Sequence, residues 1–230
     1  MKFSIVFPSR DRIDLLRNLL RSIAVTTYDL NHVEVLIAID DDDKATYDFV
    51  YSLAYSFVKP FKVPRSLNFS QDYYTFLANK STGRWIITVN DDCVFETMLW
   101  DKLAFAVLDK LPGVIYGWSE DGLGDFRAHG HGEYCCFPLQ GRAGIEAMGY
   151  VFPSRIPTWG ADIWCKNIYD QVRSTVQLPI TIRHFCHHNH TREQDEVNKR
   201  IMNNQIKYDL RPTYDEVNKL LSALRQEVPV

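Results

Sequence analysis

A short apolar run that ends in three polar residues constrains the fold of this chain more than any other feature. Residues Trp85–Val89 (WIITV) are apolar or β-branched, and Asn90, Asp91 and Asp92 follow directly. A continuous run of this length is typical of a strand that is buried on both faces of a parallel sheet. Because an unpaired buried carboxylate is costly, we expect the chain to leave the sheet here and present Asp91 and Asp92 at its edge. Open α/β sheets bind ligands at that edge, although a solvated acidic turn is the alternative.

Two similar units precede this run in the chain. Phe3–Phe7 is a short apolar segment that Pro8 ends, and leucines at helical spacing follow it. Val33–Ile39 is a second apolar segment, closed by four consecutive aspartates before a predicted helix at 44–57. Alternating buried strands and helices are the signature of α/β proteins. We therefore predict a Rossmann-like, mostly parallel central sheet flanked by helices, in which 3–7, 33–39 and 85–89 are neighbouring inner strands.

The remainder of the chain continues this pattern with less regular spacing. Further strands are predicted at 61–63, 114–118, 135–139 and 179–185, and further helices at 72–78, 99–111, 143–148 and 163–172. From Thr191 onward the sequence is charged and helical, apart from a break at Pro212. This change predicts a C-terminal helical extension over residues 191–230, which leaves open an oligomer formed through these helices.

The composition excludes several classes of protein. With 46% hydrophobic and 13% aromatic residues, the 230-residue chain has enough apolar side chains for a substantial core. The net charge of −3 provides no basic footprint for non-specific nucleic-acid binding. No apolar run approaches the roughly 20 residues of a membrane span, so we expect no stable membrane insertion. The five cysteines lack the paired spacing of zinc sites, which predicts reduced thiols and a cytoplasmic location.

Four segments, taken in order, resemble the GT-A glycosyltransferases and especially glycosyltransferase family 2. They are FSIVFPSRDRIDLLRNLLRSI at 3–23, VEVLIAIDDDD at 33–43, STGRWIITVNDDCVF at 81–95 and GADIWC at 160–165. The resemblance covers about residues 3–190 and rests on the order and spacing of the segments. It implies a GT-A domain at 1–190, with a nucleotide-binding half at 1–95 and an acceptor half at 96–190.

The resemblance also implies an activity and roles for individual residues. The expected reaction moves a hexosyl or pentosyl group from a nucleotide sugar, with a UDP-sugar favoured, to an acceptor hydroxyl with inversion. The family's Asp-x-Asp motif appears as Asn90-Asp91-Asp92, and Asp162 stands where inverting members keep their base. The expected nucleotide-sugar contacts are Pro8, Ser9, Arg10, Arg12, Asp40, Asp41, Arg65, Asn90 and Asp91. Asp92, His187 and His190 are the expected ligands of Mn²⁺ or Mg²⁺, and the imidazole donors favour Mn²⁺ over Mg²⁺.

Two departures from the family pattern leave alternatives open. Asn90 replaces the first aspartate of the motif, and the family's Glu-Asp pair is reduced to Asp162 alone. A non-catalytic nucleotide-sugar or carbohydrate-binding protein is one alternative, and helix N-capping is the alternative role of Asp162. A nucleotidyltransferase of similar fold is another, although Pro8-Ser9-Arg10 lacks the glycines of a phosphate loop.

Trp159 and Trp164 are candidates for stacking on sugar, with core packing as the alternative. The acceptor stays open among a saccharide, a protein side chain, a lipid-linked sugar and a modified nucleobase in DNA.

Overall fold

Strands and helices alternate through the first half of the chain and mix more irregularly after it. The computed structural model describes residues 3–122, 136–185 and 208–227. Its strands are β1 (Phe3–Ser9), β2 (Val33–Asp40), β3 (Val58–Val63), β4 (Trp85–Thr88), β5 (Cys93–Phe95), β6 (Tyr116–Glu120), β7 (Leu139–Gly141) and β8 (Thr175–His184). Its helices are α1 (Ile13–Thr26), α2 (Lys44–Ser52), α3 (Phe76–Lys80), α4 (Trp100–Leu108), α5 (Arg142–Met148), α6 (Ala161–Gln171) and α7 (Tyr214–Glu227). A 3₁₀ turn lies at Leu30–His32 and a π-helical turn at Ser70–Thr75.

One mostly parallel sheet of eight strands forms the centre of the fold, in the order β3-β2-β1-β4-β7-β6-β8-β5. Strands β3, β2, β1 and β4 are parallel, and Ile5 of β1 lies opposite both Val35 of β2 and Ile87 of β4. This confirms the prediction that these three segments are neighbouring inner strands. Strand β7 runs antiparallel to β4 and β6, whereas β6 and β8 are parallel. The carboxyl ends of β1, β2 and β4 therefore lie side by side, where open α/β sheets bind ligands.

Helices cover both faces of the parallel half of the sheet. All eight residues of β2 are buried. Phe3, Ile5 and Phe7 of β1 pack with α1 and α4 in one hydrophobic cluster. Val6 of the same strand packs with α3, α5 and α6 in the other. Burial on two faces explains why these strands are continuous apolar runs in the sequence and not alternating ones.

Several boundaries differ from the sequence predictions. Strand β1 continues through Pro8 to Ser9, although Pro8 was expected to end it. The Val6 carbonyl faces β4, because it accepts from Val89 N–H. Pro8 lies two residues further along β1 and faces the same side, beyond the end of β4. The missing N–H of Pro8 therefore leaves no strand partner unsatisfied. The predicted helix at 72–78 begins as the π-helical turn, and β5, which no pattern predicted, pairs with β8.

The C-terminal helix α7 packs on the domain itself. Leu220 is fully buried and belongs to the cluster formed with α5 and α6. The buried Glu216 carboxylate accepts from Arg155 Nη2 at 2.9 Å and from Tyr150 Oη at 2.6 Å. Burial by itself would raise the pKa of Glu216, but these donors outweigh it and lower that pKa to about 2. A partly buried ion pair thus ties α7 to the segment that precedes α6.

Two expectations about partners concern the surface of the molecule. Oligomerisation through the C-terminal helices stays a prediction, and residues 191–207 lie outside the part that the structure describes. Of the helices in the three described ranges, none is long and apolar enough to cross a membrane.

Candidate active site

The residues that follow β1 and β4 meet at the carboxyl edge of the sheet. Ser9 Oγ donates a hydrogen bond to Asp91 Oδ2 at 2.9 Å, and Arg12 Nη1 donates to Asp91 Oδ1 at 3.0 Å. The same Arg12 nitrogen lies 4.0 Å from Asp92 Oδ2. The fold creates these contacts because β1 and β4 are adjacent and parallel, so their ends carry Ser9 and Asp91 to one edge.

Asp91 and Asp92 are both buried, with 4% and 6% of their surface exposed. Burial raises the pKa of Asp91 to about 6, with a further contribution from Asp92, although Arg12 and Ser9 act in the opposite direction. Adjacent carboxylates held away from water favour a bound cation, which relieves both their repulsion and their desolvation. The solvated acidic turn that the sequence left open is therefore wrong.

His184, the last residue of β8, contacts Asp92 of the Asp91–Asp92 pair. The antiparallel pairing of β5 with β8 places Cys93 opposite His184 and so brings the imidazole to Asp92. His184 Nε2 lies 3.1 Å from Asp92 Oδ1. Phe185 N–H donates to the Asp92 carbonyl at 3.0 Å, which fixes the two segments together. A carboxylate oxygen and an imidazole nitrogen thus stand side by side in a buried position.

Sequence reasoning did not find His184 and named His187 and His190 instead, which lie outside the described residues. The sequence does carry a signal for His184. Leu178, Ile180 and Ile182 are the buried positions of β8, and His184 continues their alternation. A histidine on the inward face of a strand needs a polar partner, and Asp92 supplies it.

A second cluster surrounds Asp40 at the end of β2. Arg10 Nη1 donates to Asp40 Oδ2 at 3.0 Å, and Tyr73 Oη donates to Asp40 Oδ1 at 2.6 Å. Arg65 lies 3.9 Å from the same carboxylate. Asp40 is buried, whereas its neighbour Asp41 is exposed at the edge. The structure thus brings together three of the expected nucleotide contacts, Arg10, Asp40 and Arg65, and adds Tyr73 to them.

Two adjacent tyrosines of the π-helical turn contact the residues at the ends of β2 and β4. Tyr73 contacts Asp40, and Tyr74 Oη lies 2.9 Å from Asn90 Oδ1. Turns of this kind are frequent at functional sites. Burial raises the pKa of Tyr74, and the charges of nearby carboxylates, Asp162 among them, raise it further. Tyr74 therefore keeps its proton, and Asp162 lies close enough for its charge to act on this phenol.

Asp162 lies in the first turn of α6. Gly160, at φ 87°, is the N-cap residue, so the alternative role of Asp162 as the N-cap is wrong. A carboxylate in the first turn is still favoured by the positive end of the helix dipole. Asp162 Oδ1 accepts from Ile163 N–H at 2.9 Å. Its role as general base stays a prediction.

The two tryptophans that flank Asp162 differ in exposure. Trp164 is 1% exposed and packs with its ring centroid 6.0 Å from that of Tyr150. Trp159 is 47% exposed on the turn before α6. Ser70 N–H holds this turn by donating to the Pro157 carbonyl at 3.2 Å. Core packing is therefore the role of Trp164, whereas Trp159 presents an open aromatic surface beside Asp162.

The donor set at Asp92 fits a divalent cation in an open site. Asp92 offers carboxylate oxygens and His184 an imidazole nitrogen, both of which Mn²⁺ accepts. Across the described ranges, no three His, Cys, Asp or Glu side chains form a group that could hold a metal ion. Ions such as Mg²⁺ commonly take one or two protein ligands and complete their shell with water and substrate phosphates. The residues present fit that pattern.

Comparisons with known proteins agree with this fold. The glycosyl transferase family 2 profile matches residues 4–195. Similar solved structures include the mannosyltransferase PcManGT from Pyrobaculum calidifontis in complex with GDP-Man and Mn²⁺ (TM-score 0.65, 15% identity, 98% of this chain and 73% of that chain). A second is GalNAc-T7 with UDP, GalNAc and Mn²⁺ (TM-score 0.63, 13% identity, 80% of this chain and 44% of that chain). A third is S. aureus TarS 1–349 in complex with UDP (TM-score 0.59, 14% identity, 80% of this chain and 57% of that chain). The chain thus spans little more than half the length of that TarS structure. No curated protein matches the sequence.

The fold and the acidic edge of the sheet define the GT-A class of glycosyltransferase domains, to which the similar structures also belong. The profile match extends over most of the chain. The protein therefore belongs to glycosyl transferase family 2.

Proposed function

We propose that this protein is a metal-dependent, inverting glycosyltransferase that moves a hexosyl or pentosyl group from a UDP-sugar to an acceptor hydroxyl. The observation that carries the proposal is the convergence of Ser9, Arg12 and Asp91 with the Asp40 cluster at one sheet edge. The UDP complexes of TarS and GalNAc-T7 and the GDP-Man complex of PcManGT support a nucleotide-sugar donor.

The donor nucleotide is proposed to lie across the carboxyl ends of β1, β2 and β4. Asp40 and Arg65 offer an acceptor and a donor of hydrogen bonds to the edge of the base. Asp91 would accept from a ribose hydroxyl. The Arg12 guanidinium, which lies between Asp91 and Asp92, is placed to contact phosphate oxygens. Pro8, Ser9, Arg10, Asp41 and Asn90 complete this proposed contact surface.

Asp92 and His184 would hold Mn²⁺ or Mg²⁺, and His187 and His190 stay further candidates. When bound, the cation neutralises the negative charge that develops on the leaving diphosphate. Buried carboxylates suit this task because they gain most from a cation.

Asp162 is proposed to take the proton from the acceptor hydroxyl. The oxygen of that hydroxyl then attacks the anomeric carbon as the bond from this carbon to the diphosphate breaks. Attack from the face opposite the leaving group inverts the configuration. Trp159, exposed beside Asp162, offers a rigid aromatic surface for a sugar acceptor.

Donor binding tests the metal site without knowledge of the acceptor. We expect UDP-sugars to raise the melting temperature of the wild type in the presence of Mn²⁺, since a bound ligand stabilises the folded state. Asp92→Asn should abolish this shift. Asp29→Asn is the control, because Asp29 precedes β2 at the end opposite Asp40 and caps the turn at Leu30–His32 by accepting from Asn31 N–H at 3.0 Å, a role that Asn fills equally well. Equal losses in the two variants would contradict a metal site at Asp92. If no UDP-sugar shifts the wild type, the proposed donor is wrong, and a shift by GDP-mannose alone would replace it.

A further inference from the structure

The C-terminal segment, defined here as residues 208–216, contacts the start of α6, the helix whose first turn contains Asp162. A Cβ added to Gly160 would lie 2.8 Å from Leu210 Cδ2 and 3.1 Å from Leu210 Cδ1. The methyl groups of Leu210 therefore lie directly against the backbone of the N-cap residue of α6. Gly160 also adopts φ 87°, a conformation that favours glycine, so the close contact and the cap geometry require the same residue.

A second contact reaches α6 through Arg155, which lies on the turn at 154–160 before the helix. Arg155 Nη2 donates a hydrogen bond to Glu216 Oε2 at 2.9 Å. The guanidinium carbon of Arg155 also lies 6.0 Å from the centre of the Trp164 ring on α6, within the range of a cation–π contact. One contact of the C-terminal segment thus reaches the helix two residues before Asp162, and the other reaches it two residues after.

The C-terminal segment is itself fixed by the start of α7. Thr213 N–H donates to Glu216 Oε2 at 2.7 Å, and Glu216 N–H donates to Thr213 Oγ1 at 3.2 Å. This reciprocal pair is a capping box, which sets where the helix begins. Leu220, one turn further along α7, is fully buried in the core. The Glu216 carboxylate therefore both starts α7 and holds Arg155.

The family profile ends at residue 195, so the role of the C-terminal segment does not follow from membership of the family. We infer that Leu210 and Glu216 are positioning residues for Asp162, because their contacts fix the start of α6 and with it the carboxylate that takes the acceptor proton. A displacement of a reacting group by about 1 Å can cost about 10²-fold in rate, so such support has a large effect on the reaction. This inference rests on the proposed function.

The π-helical turn supports a different part of the turn at 154–160. Ser70 N–H donates to the Pro157 carbonyl at 3.2 Å, and Ser70 Oγ donates to the Ile156 carbonyl. These bonds hold the middle of the turn, whereas Leu210 contacts its last residue, Gly160. Loss of the Leu210 side chain should therefore loosen the start of α6 and leave the middle of the turn in place.

Hydrogen exchange measured by mass spectrometry tests this local effect without substrate. Leu210→Ala should raise the exchange of peptides that cover residues 158–163 and leave that of residues 154–157 unchanged. Leu221→Ala is the matched control, because Leu221 is also a partly buried leucine that packs against the same hydrophobic cluster, but on α7. It should lower the melting temperature similarly and leave residues 158–163 as in the wild type. An equal rise at 158–163 in both variants would show a general loosening of the domain and would overturn the inference.

Glu216→Gln tests the second contact with little disturbance of α7. Glutamine also completes a capping box, so the exchange of α7 should not change. The amide loses the charge that holds Arg155, so residues 158–163 should exchange faster than in the wild type. Unchanged exchange at 158–163 in both Glu216→Gln and Leu210→Ala would overturn the inference.

A double-mutant cycle with Asp162 shows whether the effect on the reaction passes through the base. With Mn²⁺ and a UDP-sugar, and with water in place of the acceptor, Leu210→Ala should lower kcat about 10-fold to 100-fold at unchanged affinity for UDP. In the Asp162→Asn background it should have no further effect, because the group that it positions is gone. Leu221→Ala should change kcat in neither background.

The outcomes separate the inference from the function on which it rests. Equal losses of kcat from Leu210→Ala in both backgrounds, or a loss confined to UDP affinity, would overturn the inference while the proposed function stands. A wild type that neither binds UDP nor hydrolyses a UDP-sugar would overturn both.

Discussion

At the scale of single residues, the carboxylates of the site are buried and each contacts a side chain from another segment of the chain. Asp91 pairs with Arg12, Asp40 with Arg10, and Asp92 with His184. Removal of the partner leaves a buried carboxylate uncompensated, which is strongly destabilising. The conservative Asp-to-Asn changes used above are therefore better probes of function than alanine, because they keep the shape and part of the hydrogen bonding.

The two tryptophans beside Asp162 give a prediction at the same scale. Trp164→Ala should lower the free energy of unfolding by about 3–5 kcal/mol, because its ring lies fully in the core. Trp159→Ala should lower it by less than about 1 kcal/mol, because half of its surface is already exposed. Urea unfolding of both variants measures the difference. Similar losses would mean that Trp159 is a core residue and is not available to an acceptor.

At the scale of secondary structure elements, strand β2 carries a carboxylate inside the sheet. Glu34 is fully buried and accepts from Ser4 Oγ of β1 at 2.8 Å, from Lys59 Nζ of β3 at 2.7 Å and from Thr82 N–H at 2.6 Å. A Cβ on Gly83 would lie 2.4 Å from Ser4 Oγ, so this turn requires glycine. Glu34 therefore joins β1, β3 and the turn that precedes β4, and it fixes the alignment of the strands that build the site.

This carboxylate should make stability depend on pH. Burial opposes the ionisation of Glu34, but its donors outweigh burial and lower its pKa from 4.5 to about 2. The unfolded chain then takes up a proton at higher pH than the folded chain, so this contribution is complete above about pH 4.5 and disappears as the pH falls toward 2. We expect Glu34→Gln to lower the free energy of unfolding at pH 7 by on the order of 2–3 kcal/mol. Urea unfolding at several pH values should show this difference shrinking in acid. A difference that does not change with pH would contradict the assignment.

At the scale of the whole molecule, the parallel half of the fold was predictable and the mixed half much less so. Strands β1, β2 and β4 are buried on both faces, so each leaves a continuous apolar run in the sequence. Strands β5 and β7 have three residues each, which is too short for a periodic pattern. Tertiary pairing with β8 and β4 determines their positions.

Some residues of the site could likewise be predicted from the sequence and others could not. Ser9, Asp40 and Asp91 come within two residues of the ends of predicted strands, and parallel pairing alone brings such positions together. His184 reaches Asp92 only through the register of β5 with β8, and Tyr74 reaches Asn90 only from the π-helical turn. Neither the register nor the turn has a distinct local sequence signal, because the segment at 72–78 has the pattern of an ordinary helix.

The claim that Asp162 is the general base of a metal-dependent, inverting transfer is tested most directly by hydrolysis of a UDP-sugar, with water in place of the acceptor. Asp162→Asn should preserve α6, because Gly160 and not Asp162 is its N-cap residue. The wild type with Mn²⁺ should release sugar whose first-formed anomer, observed by NMR, is inverted. Asp162→Asn should release it roughly 10²–10⁴-fold more slowly with unchanged affinity for UDP. Release by Asp162→Asn at the wild-type rate, or release with retained configuration, would contradict the claim.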